Sequence, residues 1–169
     1  MHATAEKGFQ ALMHKHVPQG DGQTCIDIGS YNVNGSLRPM VEAHGYSYIG
    51  VDIREGPGVD YVMPDPYHLP AALAGDAFDL IVTSSCLEHC VNPFRLMRDV
   101  QEYMLRGGLI VIQAPFNWQY HPHPEDYYRY SHEGLAALCT EVGLEVVECF
   151  MNEPKGSGKR DAFCVARKV

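Results

Sequence analysis

Residues 24–35, TCIDIGSYNVNG, run from a short apolar strand into a glycine-bearing turn and then towards a helix. Cys25, Ile26 and Ile28 supply the strand, and Asp27 sets a charge inside it. A buried carboxylate needs a partner, so a ligand or a hydrogen-bonded turn is expected to satisfy it. Gly29 lets the backbone turn tightly and approach whatever lies above the sheet. A second strand is expected at 46–53 (YSYIGVDI), beyond the intervening helix, and it ends in Asp52. In a nucleotide-binding βαβ unit, an acid about 20 residues past the glycine turn binds ribose hydroxyls.

Strand, acid, Gly29, helix, strand and Asp52 together resemble the motifs of class I S-adenosylmethionine-dependent methyltransferases, in the manner of the small type 11-like members. The likeness extends from about Gln23 to the C-terminus. The family's commonest turn carries alternating glycines, whereas here Tyr31 and Val33 hold the later positions and the next glycine is Gly35. Asn32, Asn34 and Gly35 are expected to take the left-handed conformations that the missing glycines would supply. The resemblance implies S-adenosyl-L-methionine as cofactor. It places the contacts at Asp27, Gly29, Ser30, Tyr31, Gly35, Asp52, Ile53, Asp65, Ser84, Ser85, Cys86 and His89.

With 169 residues, 46% hydrophobic and 20% charged, the chain is expected to form one domain, 1–169, whose core starts at 23 after an N-terminal helix and loop. A net charge of -8 argues against nucleic acid held by general electrostatics. The six cysteines lie mostly in apolar stretches without a CxxC pair and read as buried free thiols. No apolar run approaches the ~20 residues of a membrane span, and no signal core opens the chain, so a reducing cytoplasm is the expected compartment. A small-molecule acceptor is the expected partner, with a homodimer as an option.

Apolar residues at Phe9, Leu12, Met13 and Val17 are spaced for a short helix over the sheet or the ligand, with His14 and His16 at the surface. After the turn, 36–44 reads as a helix with Pro39 in its first turn and Gly45 as its stop. A third strand is expected at 59–63, following a glycine and proline loop where the family has a helix. Asp65 sits at its end. The family's adenine-side acid occupies a similar place, and the alternative is a loop Asp that caps the turn at 68–74. The near-continuous apolar run 78–85 is expected to be a central parallel strand. An amphipathic helix from Pro93, ended by Gly107 and Gly108, leads to a fifth strand at 109–114. A helix capped by Ser131 runs to Val142, and apolar runs at 144–150 and 162–169 flank the turn-rich NEPKGSGKRD as a hairpin. The whole reads as an α/β, Rossmann-like, doubly wound open sheet of seven strands, mostly parallel with an antiparallel hairpin last. Its ligand crevice lies beyond the carboxyl ends of the strands, roofed by 117–130.

That roof, within PFNWQYHPHPEDYYRYSHEGL, is rich in histidine, aromatic residues and proline, and loops this long are usually functional. Transfer of a methyl group to a hydroxyl needs positioning and a base, and histidine serves near neutral pH. His89, His121 and His123 are the candidates, with Asp126 to orient one of them. His89 has the alternative of positioning its loop or capping the next helix. With Asp126 or His132 the roof histidines have the makings of a metal set, but no familiar zinc spacing is present and no metal is expected. Tyr127, Tyr128, Arg129 and Tyr130 serve equally as packing residues. HPHPEDYYRYSHEGL resembles a segment of small methyltransferases of polysaccharide and glycolipid biosynthesis, which implies a sugar or related polar acceptor. O-methylation of such an acceptor is therefore the expected function. The alternative is a non-catalytic nucleoside- or partner-binding module on the same fold. An NAD-dependent oxidoreductase is disfavoured, because GxGxxG is missing after the first strand.

Overall fold

Alternating apolar side chains sort onto the two faces of one sheet. The computed structural model describes residues 3–153 and 158–169. Among these, seven strands form: β1 (Thr24–Ile28), β2 (Ser47–Asp52), β3 (Tyr61–Val62), β4 (Phe78–Ser84), β5 (Met104–Asn117), β6 (Leu144–Met151) and β7 (Arg160–Lys168). Their order is β3-β2-β1-β4-β5-β7-β6. The first five run parallel, and β7 pairs antiparallel with both β5 and β6. The chain reverses its direction of travel across the sheet between β1 and β4, the switch point at which open α/β sheets bind ligands. The expected doubly wound sheet with its closing hairpin is the fold observed. Residues 154–157 of the hairpin turn lie outside the described residues.

Ile26, Ile28, Ile81, Ile110 and Ile112 pack on one face with α3 (Pro93–Glu102) and α4 (His132–Glu141). Cys25, Leu80, Val82, Leu109 and Val111 pack on the other with α1 (Ala3–His16) and α2 (Arg38–Ala43). Consecutive residues of β1, β4 and β5 thus point to opposite cores, which is why these strands read as unbroken apolar runs. α1 buries Phe9, Leu12 and Met13 against the sheet and contributes nothing to the cavity described below. Asn92 caps α3 by accepting from the Arg95 N–H, and Ser131 caps α4 by accepting from the Gly134 N–H, each at 3.1 Å. No helix of the described residues is long and apolar enough to cross a membrane.

Three local expectations are corrected. Gly107 and Gly108 do not end α3, which stops at Glu102 with Tyr103 as its C-cap. They lie inside β5, where Gly107 (φ +81°) falls in a register shift between the Met104 and Leu109 pairings to β4. β3 has two residues rather than five. Upstream of it the Asp60 side chain takes over part of the pairing, accepting the Gly50 N–H at 2.7 Å and the Arg38 guanidinium at 2.6 Å. Asn32 and Asn34 are not left-handed; Gly35 alone of that trio has a positive φ. The Asn32 side chain closes the loop instead, its Oδ1 accepting the Gly35 N–H at 2.8 Å.

Candidate active site

A cavity of about 590 Å³ opens beyond the carboxyl ends of β1, β2 and β4, a volume within the usual range for a bound small molecule or cofactor. Its floor is the turn after β1. Gly29 takes φ +83° there, and a Cβ on it would lie 2.6 Å from Cys86 Sγ. Only glycine meets both conditions. The Gly29 and Ser30 N–H groups donate to the Val51 carbonyl at 2.9 and 3.0 Å, which fastens the turn to β2. At the end of β2, Asp52 accepts the Tyr31 N–H at 3.1 Å on Oδ2 and the Arg54 N–H at 3.1 Å on Oδ1. Its carboxylate is thereby held in a fixed orientation at the cavity edge. Ile53, Met63, Tyr67 and Val91 give apolar wall, and the Tyr31 ring is braced by Arg54, whose guanidinium carbon stands 4.7 Å from its centroid.

Asp27 is buried, and the Tyr48 hydroxyl donates to it at 2.5 Å from the neighbouring strand. Burial, aided by the Asp52 charge, pushes its carboxyl up to about 7, while the Tyr48 bond and Arg38 pull the other way. Ser30 Oγ, also buried at the cavity, has no hydrogen-bond partner among the described residues. A cavity with one fixed carboxylate, an orphaned hydroxyl, close backbone approach at Gly29 and apolar walls fits an adenosyl group.

The opposite wall rises from β4. Ser85 is the one non-glycine described residue with positive φ, at 52°, and this sharp turn sends 86–89 back beneath the roof. Ser84 and Ser85 donate to Gln113 Oε1 at 2.6 and 3.1 Å, and Gln113 Nε2 donates to Asp161 at 2.8 Å. The 117–130 roof is pinned onto 87–91 by backbone and tyrosine bonds. Tyr127 N–H donates to the Glu88 carbonyl at 2.8 Å, Tyr128 hydroxyl to the Val91 carbonyl at 2.9 Å, and Tyr130 hydroxyl to the Leu87 carbonyl at 3.1 Å. The result is a cluster of imidazoles: His89 stands 5.1 Å from His121 and 5.8 Å from His123, centroid to centroid. The Glu88 carboxylate raises His121 above its ordinary range, with burial acting against it. Partial burial and the neighbouring His89 and His121 hold His123 below that range.

Of the residues expected from sequence, Asp27, Gly29, Ser30, Tyr31, Gly35, Asp52, Ile53, Ser84, Ser85, Cys86, His89, His121 and His123 all line this one cavity. Two do not. Asp65 caps its own turn, accepting the Tyr67 N–H at 2.9 Å, and faces Arg95 at 3.4 Å outside the cavity. Asp126 is locked behind the roof by the Arg129 guanidinium at 2.5 and 2.7 Å and accepts the His121 N–H at 2.8 Å. That pairing holds its carboxyl well below the usual carboxylate range. It positions His121 and does not face the reacting space. Sequence reasoning missed Glu88, Gln113 and Asp161, polar residues buried under the site. Gln113, alone as a polar residue in the apolar strand LIVIQA, was the available signal.

No curated protein is detectably similar in sequence. Among solved structures, an S-adenosylmethionine-dependent methyltransferase from Mesorhizobium loti aligns with TM-score 0.74 at 18% identity, covering 98% of each chain. The 1,6-didemethyltoxoflavin-N1-methyltransferase of Burkholderia thailandensis, solved with bound 1,6-didemethyltoxoflavin and S-adenosylhomocysteine, aligns with TM-score 0.76 at 18% identity over 98% of this chain and 78% of that one. The [4+2]-cyclase SpnF aligns with TM-score 0.74 at 14% identity over 96% and 81%, so the fold also houses other chemistry. The sequence model of the methyltransferase domain matches residues 1–149. With most of its length covered by that match and its strand tips arranged around one nucleoside-sized cavity, the chain belongs to the methyltransferase domain family.

Proposed function

We propose that this protein transfers a methyl group from S-adenosylmethionine to a hydroxyl of a small polar acceptor, a sugar or glycan precursor. The observation that carries the reading is that the Asp52 carboxylate and the imidazoles of His89, His121 and His123 line the same cavity. The bound donor supplies an electrophilic sulfonium methyl. Asp52 accepts from the ribose hydroxyls, and Gly29 gives the backbone its close approach. Ile53, Met63 and Tyr67 shelter the adenine. On the far side His123 points its ring into the cavity without a hydrogen bond from the described residues, so it is available to take the acceptor's proton. Tyr127 and Trp118 offer aromatic faces on which a sugar can stack. Holding both partners in contact is worth ~7 to 11 kcal/mol in such a displacement.

Calorimetric titration with S-adenosylhomocysteine, followed by a labelled-methyl screen over sugars and nucleotide sugars, tests the reading. Binding plus label in one acceptor is the expected result. No heat at millimolar ligand rejects it. Binding with no labelled product from any metabolite fraction favours the alternative, a nucleoside-binding module without turnover.

A further inference from the structure

Two imidazoles and one carboxylate, those of His89, His121 and Glu88, meet beneath the roof. His89 Nδ1 lies 2.6 Å from the Glu125 carbonyl, and His121 Nδ1 lies 2.9 Å from the Gln119 carbonyl. A carbonyl only accepts, so each Nδ1 carries a proton, and each Nε2 is turned to the Glu88 side, where a metal ion can take the place of a proton. Both Nε2 atoms face the same oxygen, Glu88 Oε1, at 3.6 and 3.4 Å. Glu88 is fully buried, and neither of its oxygens accepts a hydrogen bond from any described residue. A buried carboxylate left this way is costly unless something positively charged completes it.

We propose that Glu88, His89 and His121 hold a first-row divalent cation of the zinc type. Metal–nitrogen and metal–oxygen bonds of about 2.0 to 2.2 Å place neighbouring ligand atoms roughly 3.0 to 3.5 Å apart in tetrahedral or octahedral geometry. The observed separations are close to that, and the three ligand atoms lie within 4.8 Å of one another. Two imidazoles and one carboxylate form a nitrogen–oxygen set that suits zinc or its first-row neighbours and leaves coordination positions open. The second layer is built as well. Both imidazoles donate their other N–H to a main-chain carbonyl, which fixes tautomer and ring angle. Asp126 holds the His121 main chain at 2.8 Å. The linear spacing hides this set, since Glu88 and His89 follow β4 while His121 arrives from the roof beyond β5; the expectation of no metal rested on that spacing.

His89 and His121 line the cavity while Glu88 lies behind them, so the open positions face the space reserved for the acceptor. An acceptor oxygen bound there would be held on the donor's side of the cavity, and its proton would pass more readily to His123. That role rests on the methyl-transfer reading; the existence of the cation site does not.

The test is titration of Zn²⁺ into the chelator-treated full chain. One equivalent should bind with a Kd on the order of a micromolar or tighter, and Glu88→Gln and His121→Ala should each weaken it at least tenfold. Each variant is also titrated with S-adenosylhomocysteine and melted, so that lost zinc affinity in a chain that still melts cooperatively reports the ligand and not the fold. Absence of stoichiometric zinc binding, or zinc binding that Glu88→Gln and His121→Ala leave unchanged, overturns the proposal. Zinc without S-adenosylhomocysteine binding would keep the cation site and sink the methyl-transfer reading. The reverse pattern would do the opposite.

Discussion

The Tyr48 hydroxyl and the Asp27 carboxylate, on adjacent parallel strands, share a 2.5 Å hydrogen bond inside the sheet directly below the cavity. It supplies the partner that a charge in the first strand requires. It does not offset burial, which leaves the Asp27 carboxyl at about 7 against an ordinary 3.8.

Stability should therefore fall as pH rises through that window. Between about 4 and 7 the native chain holds a proton that the unfolded chain has lost, so the slope of unfolding free energy with pH is negative. The Asp27 penalty is absent below the ordinary value and complete above about 7, amounting to about 4 kcal/mol as an upper figure. Asp27→Asn keeps an acceptor for Tyr48 and removes the titration. Melting curves from pH 4 to 8 should show the wild-type chain losing ground to Asp27→Asn across this range. Parallel curves would show that Asp27 does not titrate there.

Asp52→Ala should weaken S-adenosylhomocysteine binding by more than tenfold, about 1.5 to 3 kcal/mol, because hydrogen bonds to a charged acceptor are lost. The Tyr31 and Arg54 N–H groups also lose their acceptor, so the turn loosens with it. Calorimetry reads the affinity, and an unchanged Kd would remove Asp52 from the nucleoside site.

The strands were legible because β1, β4 and β5 are buried on both faces and carry little but apolar residues, and Gly29 with Asp52 marked the switch point ahead of any coordinates. Two of the misreadings share one physical origin, side chains standing in for backbone, whereas Gly107 and Gly108 form a register shift inside β5. Asp60 bonds Gly50 and shortens β3, and Asn32 closes the loop that needed no left-handed asparagine; Asp65, for which position offered both an adenine contact and a turn cap, accepts the Tyr67 N–H of its own turn. Linear order does not reveal which neighbour a short carboxylate will choose. The buried Glu88 was hidden for a related reason, since only the returning roof covers it.

Gly29→Ala should cost about 2 kcal/mol or more and abolish cofactor binding. The new side chain meets a left-handed backbone, and its Cβ sits 2.6 Å from both Cβ and Sγ of Cys86. Adding Cys86→Ala removes the sulfur but leaves the Cβ contact and the strained φ, so it should rescue little. Urea denaturation of the single and double variants measures both. Full rescue by Cys86→Ala would show that the sulfur clash was the whole effect.

Arg129 closes the roof by binding the Asp126 carboxylate on both oxygens and the Trp118 and Gln119 carbonyls at 3.3 and 3.0 Å. Because the pair holds Asp126 below its ordinary range, it contributes stability at neutral pH that is lost as pH falls below about 4. Arg129→Met leaves Asp126, whose side chain is 1% exposed, without its charge partner. The expected loss is about 2 to 3 kcal/mol at pH 7, less than for a fully enclosed pair because Arg129 remains partly solvated. The difference from wild type should shrink as Asp126 takes up a proton in acid. Turnover should drop further than S-adenosylhomocysteine affinity, since His121 loses its anchor while Asp52 and Gly29 lie on the opposite wall. Equal losses in rate and in cofactor affinity would instead make the roof part of the nucleoside pocket, and the division of labour between the two walls would have to be abandoned.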